Sequence, residues 1–404
     1  MENRSSILKI LSVAILGTVV LICTNGLTFS GITVFDEAIL NEFGWTKSEL
    51  KFRDFVNLVC AAVIMPFVGI IIDRYGVKRT MVIGLLMIAG LYYTYAYIQA
   101  AWQMYAIHFG FAIAVSGAGT LAVIIMVSQR VKERRGMAIG IALAGTSAGG
   151  IIIPPIGTRL LEAYGWRTSF QIEAMIPLIV MVIILLFLTS MKYNTASAKE
   201  QDTGLNELKF KEAIHTPVFW AICFAGVFCF YSIMGIIGNL FLYLRELGFS
   251  VTAASNAFSL FFLIILSAKL ASGWVTDYIN QYVLFKIQLS LMLIGTIGVA
   301  MNTAAFVWPS LIAIGLGWGG LYTLFNYIII TTFGVKSAGK IGGVISTFES
   351  IGAGLGVWLT GLISDRTGSY SMSFWLVVVL LLIALAISFL IKPVKGDKEL
   401  ETAA

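Results

Sequence analysis

The chain is 404 residues long, 58% hydrophobic and 12% charged, with a formal net charge of +6. A soluble domain carries about a quarter charged residues, so this chain cannot cover itself with water-compatible surface and falls outside the soluble class. Its basic residues are scattered in short loops between apolar runs, which excludes a nucleic-acid-binding face and points to membrane topology instead.

A bilayer core takes about 20 apolar residues per helix, so a dozen spans with short loops use nearly the whole length. The first apolar stretch, 7–35, is longer than a signal-peptide core and shows no small-residue cleavage site, so it is expected to stay as the first span. Apolar runs then predict spans over 8–34, 50–72, 80–99, 104–129, 136–162 and 169–190. A second set is predicted over 216–245, 252–275, 283–302, 308–333, 340–363 and 371–391. Cys23, Cys60, Cys223 and Cys229 all fall inside apolar runs without CxxC spacing, the pattern of small buried hydrophobes rather than of metal ligands or disulfides.

With both termini cytoplasmic, the inner segments and span ends hold 19 Lys and Arg residues and the outer ones 7, and the remaining one, Lys269, lies well inside a span. The positive-inside rule therefore places both ends in the cytoplasm. The longest polar stretch, 191–215, has the composition of a cytoplasmic linker and divides the chain into bundles at 1–190 and 216–404.

That division invites a search for a repeat. An offset of 204 residues places Gly69 and Asp73 on Gly273 and Asp277, Gly150 on Gly354, Gly157 on Gly361, and Ser169-Phe170 on Ser373-Phe374. Two parallel six-helix repeats imply an all-α membrane protein of twelve transmembrane helices in two pseudo-symmetric bundles, the major facilitator fold, with substrate held near the midplane. The segment VGIIIDRYGVKRT, 68–80, resembles the signature of the major facilitator superfamily between the second and third spans. Asp73, Arg74, Lys78 and Arg79 are then expected to form a charge latch that breaks as the halves rock. The second copy, SGWVTDYINQYV, keeps Gly273 and Asp277 but lacks the paired basics, so any latch there is weaker.

A narrower resemblance appears in RRGMAIGIALAGTSAG, 134–149, which is similar to a run in monocarboxylate transporters at Arg135, Ala138, Gly140, Ala142, Ala144, Gly145 and Gly149. Small residues at such spacing let helices approach closely, so this run reports packing rather than substrate. NEFGWTKSEL before the second span and GWRTSF before the sixth also resemble bacterial members of that group and the related oxalate–formate exchangers. The resemblance, with the short loops, implies a bacterial plasma (inner) membrane.

Functional side chains are sought where burial is costly: a charge at mid-bilayer costs at least about 2.5–3.5 kcal/mol and normally faces a cavity or partner. Lys269, in LSAKLASGW, and Glu349, in STFESIGAG, meet that test. Lys269 stands where the resemblance places the eighth-span arginine that holds the substrate carboxylate. Lysine is a point charge without the arginine fork, so a carboxylate is still attracted, with less geometric selection. The family's acidic partner one turn earlier is replaced here by Ile265. Glu349 is expected to supply the missing carboxylate, pairing with Lys269 until an anionic substrate competes for the cation and leaves the glutamate to take up a proton.

Other polar groups lie on the spans that line the cavity in this superfamily: Asn25, Ser30, Thr120, Tyr231, Asn239, Tyr322 and Asn326. Tyr322 and Asn326 are one helical turn apart and share a face, and the resemblance favours Tyr322 as a substrate contact. His108 is expected to anchor at the outer interface, Arg53 and Asp54 to pair with each other, and Glu173 has no assigned role.

The function expected from these readings is proton-coupled symport of small organic anions such as lactate or pyruvate by alternating access. Lys269, Tyr322, Asn326, Tyr231, Asn25 and Thr120 would bind the substrate, and Glu349 would couple the proton. The partners implied are the organic anion, H+ and the lipid bilayer; no cofactor, metal, nucleic acid or obligatory protein partner is. No Walker A segment, HExxH or nucleophile elbow occurs, which argues against ATP-driven transport and enzymatic chemistry. The competing readings are a drug or metabolite exporter of the same fold, a carboxylate-for-carboxylate exchanger, and a receptor that binds without transporting.

Overall fold

Inside hydrocarbon no water is available to the backbone, so every N–H and C=O must be satisfied within its own segment, and long apolar runs become helices. The computed structural model describes residues 2–131, 134–190, 210–276, 278–333 and 335–392, and among them every regular element is helical. The linker positions 191–209 and Asp277 of the second repeat lie outside the described residues.

Helix α1 spans Glu2–Asn25 and continues through a wider π-helical stretch, Gly26–Gly31, and a tight turn, Ile32–Phe35, into the short α2, Asp36–Phe43. There follow α3 (Lys47–Tyr75), α4 (Val77–Tyr95), α5 (Ala101–Ala118), α6 (Thr120–Arg130), α7 (Arg135–Glu173) and α8 (Met175–Ser190). The second set is α9 (Phe210–Ala213), α10 (Pro217–Glu246), α11 (Val251–Val275), α12 (Gln281–Ala300), α13 (Ala304–Phe333), α14 (Val335–Thr367) and α15 (Tyr370–Ser388).

Among the described residues, ten helical stretches are long and apolar enough to cross a membrane. One of them, 135–187, runs for 53 residues. At 1.5 Å per residue that is about 80 Å, too long for one crossing. Gly165 resolves it: at φ 73° and ψ 166° it turns the chain between the fifth and sixth predicted spans. Adding α4, a 19-residue apolar helix packed on α5 and α8, completes the twelve. The fourth predicted span is broken at Gly119 (φ −88°, ψ −148°) into α5 and α6.

The surface of these helices is apolar. Val63, Phe67, Ile70, Leu186, Ile294 and Leu382 are all largely exposed, a pattern suited to lipid and not to water. The chain is a multi-pass membrane protein.

The chain divides into two compact units, Met1–Ser197 with Ile237–Leu263, and Ala198–Ile236 with Ile264–Ala404. The first therefore includes one end of α10 and the neighbouring half of α11. Within it the small-residue run of α7 packs on α1. A Cβ on Gly149 would stand 2.8 Å from the Gly26 nitrogen, and a Cβ on Gly17 would stand 2.8 Å from Ala142 Cβ. Thr18 Oγ1 donates to the Ile141 carbonyl at 2.9 Å across the same seam. Gly136 and Gly140 are the exceptions in the run, with open space where a Cβ would be.

Candidate functional site

The chemistry in the second unit is built on two helix seams. Gly319 brings α13 tight against α11: an added Cβ would lie 2.7 Å from Ala268 Cβ and 3.1 Å from the Lys269 nitrogen. One turn on, the half-buried Tyr322 presents its ring to the Lys269 ammonium, with Nζ 4.5 Å from the centroid. A cation over an aromatic face in partly desolvated surroundings gains about 0.5–2 kcal/mol. Trp318 stands edge-on to Tyr322 at 6.0 Å and to Phe230 of α10 at 4.9 Å, closing an aromatic wall beside the cation. Asn326 is exposed and donates to the Tyr322 carbonyl at 3.0 Å, leaving its side-chain oxygen for other contacts.

The second seam joins α10 and α14. A Cβ on Gly226 would meet Glu349 Cγ at 3.1 Å, one on Gly352 would meet the Val227 carbonyl at 2.5 Å, and one on Gly356 would meet Tyr231 Cα at 2.8 Å. Glu349 and the buried Tyr231 thus share this seam. The expected ion pair between Glu349 and Lys269 is not formed: Glu349 makes no ion pair among the described residues. The reason is geometric, since Lys269 is held to α13 while Glu349 is held to α10.

Asn25 and Thr120 belong to the first unit. Asn25 ends α1 where the helix widens, and Nδ2 reaches Thr24 Oγ1 at 3.4 Å. Thr120 opens α6 beyond the Gly119 break. Ser30 is turned back to the Gly26 carbonyl at 3.2 Å. Asn239 is fully buried in the same unit. Of the latch group, Asp73 and Arg74 close α3, and Lys78 and Arg79 open α4 across Gly76 (φ 83°). Asp73, Arg74 and Arg79 are exposed, and Arg74 lies over the Tyr75 ring at 5.4 Å.

The first unit also holds a charge cluster whose layout differs from the sequence expectation. Arg53 is not chiefly the partner of Asp54. Its Nη2 and the Lys51 ammonium both bind Asp36, and all three side chains are fully buried. Arg53 Nη1 donates to Tyr95 Oη at 3.0 Å, and Nε stands 3.8 Å from Asp54. His108 is no interfacial anchor: it is fully buried, edge-on to Tyr95 and Phe111, with Nδ1 4.0 Å from Asp54. Glu173 is fully buried against Gly157 and Phe35, and neither carboxyl oxygen has a hydrogen-bond partner among the described residues. Two cations against Asp36 and Asp54 balance in number, which makes so much buried charge tolerable. The one advance signal was Lys51, Arg53 and Asp54 crowding the first turns of a span that is otherwise apolar.

The two GW segments bind each other. Gly44 ends α2 in the left-handed region (φ 66°), and Trp45 stacks on Phe43 at 4.3 Å. Past the Gly165 turn, Trp166 Nε1 donates to Glu42 at 2.6 Å and Arg167 Nη2 at 2.5 Å, while the guanidinium lies 4.2 Å over the Trp166 ring.

Comparison with known proteins agrees with this architecture. An oxalate:formate antiporter of Oxalobacter formigenes is 22% identical over 94% of this chain and 90% of its own. A hexuronate transporter of Bacillus subtilis is 27% identical over 81% and 82%, and monocarboxylate transporter 13 of Bos taurus 26% over 61% and 58%. The crystal structure of a bacterial homologue of the human lysosomal transporter Spinster superposes with a TM-score of 0.75 at 16% identity, over 97% of each chain. These proteins are transporters and not enzymes. The model of the Major Facilitator Superfamily matches residues 18–357, through both sets of spans, and the chain belongs to that superfamily.

Proposed function

We propose that this transporter carries small organic anions, monocarboxylates of the lactate or pyruvate kind, by proton symport through alternating access in a bacterial plasma membrane, with both termini cytoplasmic. The observation that carries the reading is Lys269, a half-buried cation inside α11, flanked by the Tyr322 ring at 4.5 Å. An intramembrane cation with a polar and aromatic surround suits a carboxylate whose small apolar remainder needs cover. Lys269 takes the carboxylate, Tyr322 and Asn326 form its α13 wall, and Tyr231, Asn25 and Thr120 contribute polar contacts elsewhere in the cycle. Glu349 carries the coupled proton, and Asp73, Arg74, Lys78 and Arg79 form the cytoplasmic latch.

A second reading, exchange of one carboxylate for another, has one specific support: the resemblance to the oxalate:formate antiporter extends along more of the chain than that to monocarboxylate transporter 13. Proteoliposomes separate the two. Uptake of radiolabelled L-lactate that rises with an inward proton gradient supports symport. Uptake that needs internal carboxylate and ignores the gradient supports exchange. Absence of both lactate and pyruvate uptake refutes the monocarboxylate assignment.

A further inference from the structure

Helices α12 and α15 pack side by side within the second unit, and neither contains an Asp or Glu. Lys286 is the one charged side chain on either helix. It lies five residues past the start of α12 at Gln281, about 8 Å along the axis at 1.5 Å per residue. Its ammonium stands over the ring of Phe389, the residue that ends α15, 4.5 Å from the centroid. Among the described residues Lys286 forms no ion pair.

The surroundings of that ammonium are apolar and open. Val283 and Ile287 flank Lys286 on the exposed side of α12, and Phe389 and Leu390 are 57% and 59% exposed. Lys392, three residues after Phe389, is a second exposed cation at this end, likewise without an ion pair among the described residues. Trp274 and Tyr278, edge-on to each other at 5.0 Å and both exposed, lie between α11 and the start of α12. Aromatic side chains of this kind sit at the headgroup level of a bilayer, so Lys286 lies just beneath it.

The fold itself does not call for this lysine. At the 204-residue offset, Met81, Leu85 and Ile88 of α4 are buried as Phe285, Leu289 and Met292 of α12 are. By the same offset Lys286 falls on Val82 and Phe389 on Leu185, so the matching seam of the first unit is built without a charge.

Unopposed cations beside exposed apolar side chains complement a ligand that carries both a net negative headgroup and acyl chains. We propose that Lys286 and Lys392 hold the headgroup phosphate of one anionic phospholipid, whose chains lie along the α12–α15 seam in the leaflet that faces the C-terminus. Basic pockets between membrane helices recognise anionic headgroups in this way. A zwitterionic lipid offers the same phosphate with its charge cancelled and is the weaker ligand. The site depends on no particular substrate or coupling.

The test uses the full-length protein in a neutral detergent, titrated with dioleoylphosphatidylglycerol, with dioleoylphosphatidylcholine and with inorganic phosphate. Bound lipid is counted by native mass spectrometry while the unfolding temperature is followed in parallel. Phosphatidylglycerol should bind about five-fold or more tighter than phosphatidylcholine. Lys286→Ala should weaken the tightest phosphatidylglycerol site about five-fold and leave phosphatidylcholine binding unchanged, with Lys286→Arg retaining the preference. If Lys286→Ala gives no folded protein, Lys286→Gln is read in its place with the same expectation. Equal affinity for the two lipids, or phosphatidylglycerol binding unaltered by loss of the Lys286 charge, overturns the lipid site. Inorganic phosphate that stabilises the wild type as far as phosphatidylglycerol does also overturns it, in favour of a site for free anions.

Discussion

Lys269 and Tyr322 are joined face-on, the ammonium 4.5 Å from the ring centroid, on helices drawn together by the missing side chain of Gly319. The ring covers one side of the cation with a π face that carries no formal charge. Tyr322→Phe preserves the face and should keep lactate uptake within about three-fold of wild type. Tyr322→Ala removes the face and should raise KM about 3–30-fold. Initial-rate uptake at graded lactate concentrations measures both.

Glu349 stands apart from Lys269, so its role in coupling is separable from binding. Glu349→Gln keeps the shape against Gly226 and removes the titrating group. Lactate counterflow, which needs no net proton movement, should persist, while accumulation driven by an inward proton gradient should disappear. Gradient-driven accumulation at the wild-type level in this variant would remove Glu349 from the coupling scheme.

Asp36 is the shared counter-ion of two fully buried cations. Asp36→Asn leaves Lys51 and Arg53 without it, and breaking such a buried pair costs about 3–5 kcal/mol. The variant should lose folded yield and unfold well below the wild-type temperature in a detergent thermal-shift assay. An unchanged transition would mean that the network carries little of the fold's stability.

The seam between α1 and α7 distinguishes two glycines of the same run. Gly149→Val would drive a side chain into the Gly26 backbone, whereas Gly140→Ala enters open space. The first should abolish monodisperse protein on size-exclusion chromatography; the second should be indistinguishable from wild type.

The number of spans could be read in advance because hydropathy is a local property and each crossing must satisfy its own backbone. Lys269 and Glu349 could be read for the same reason, as charges in otherwise apolar runs. Pairing is not local. Asp36 finds Lys51 and Arg53 only because the widened turn at Gly26–Gly31 and the tight turn after it re-aim the chain before α2. His108 read as an interfacial residue because it lies near the start of its span, and the burial given it by Tyr95 and Phe111 depends on which face of α5 meets α4. The expected Lys269–Glu349 pair failed likewise: two lone opposite charges suggest each other, but glycine seams bind their helices to different neighbours.

The central claim is that Lys269 holds the substrate carboxylate, and proteoliposome uptake of radiolabelled L-lactate under an inward proton gradient tests it most directly, comparing wild type, Lys269→Arg and Lys269→Ala. Loss of a charge-assisted contact worth about 1.5–3 kcal/mol predicts a fall of roughly 10–150-fold in kcat/KM for Lys269→Ala, with Lys269→Arg retaining measurable transport. Wild-type lactate uptake undiminished in Lys269→Ala would contradict the account and place the anion site elsewhere.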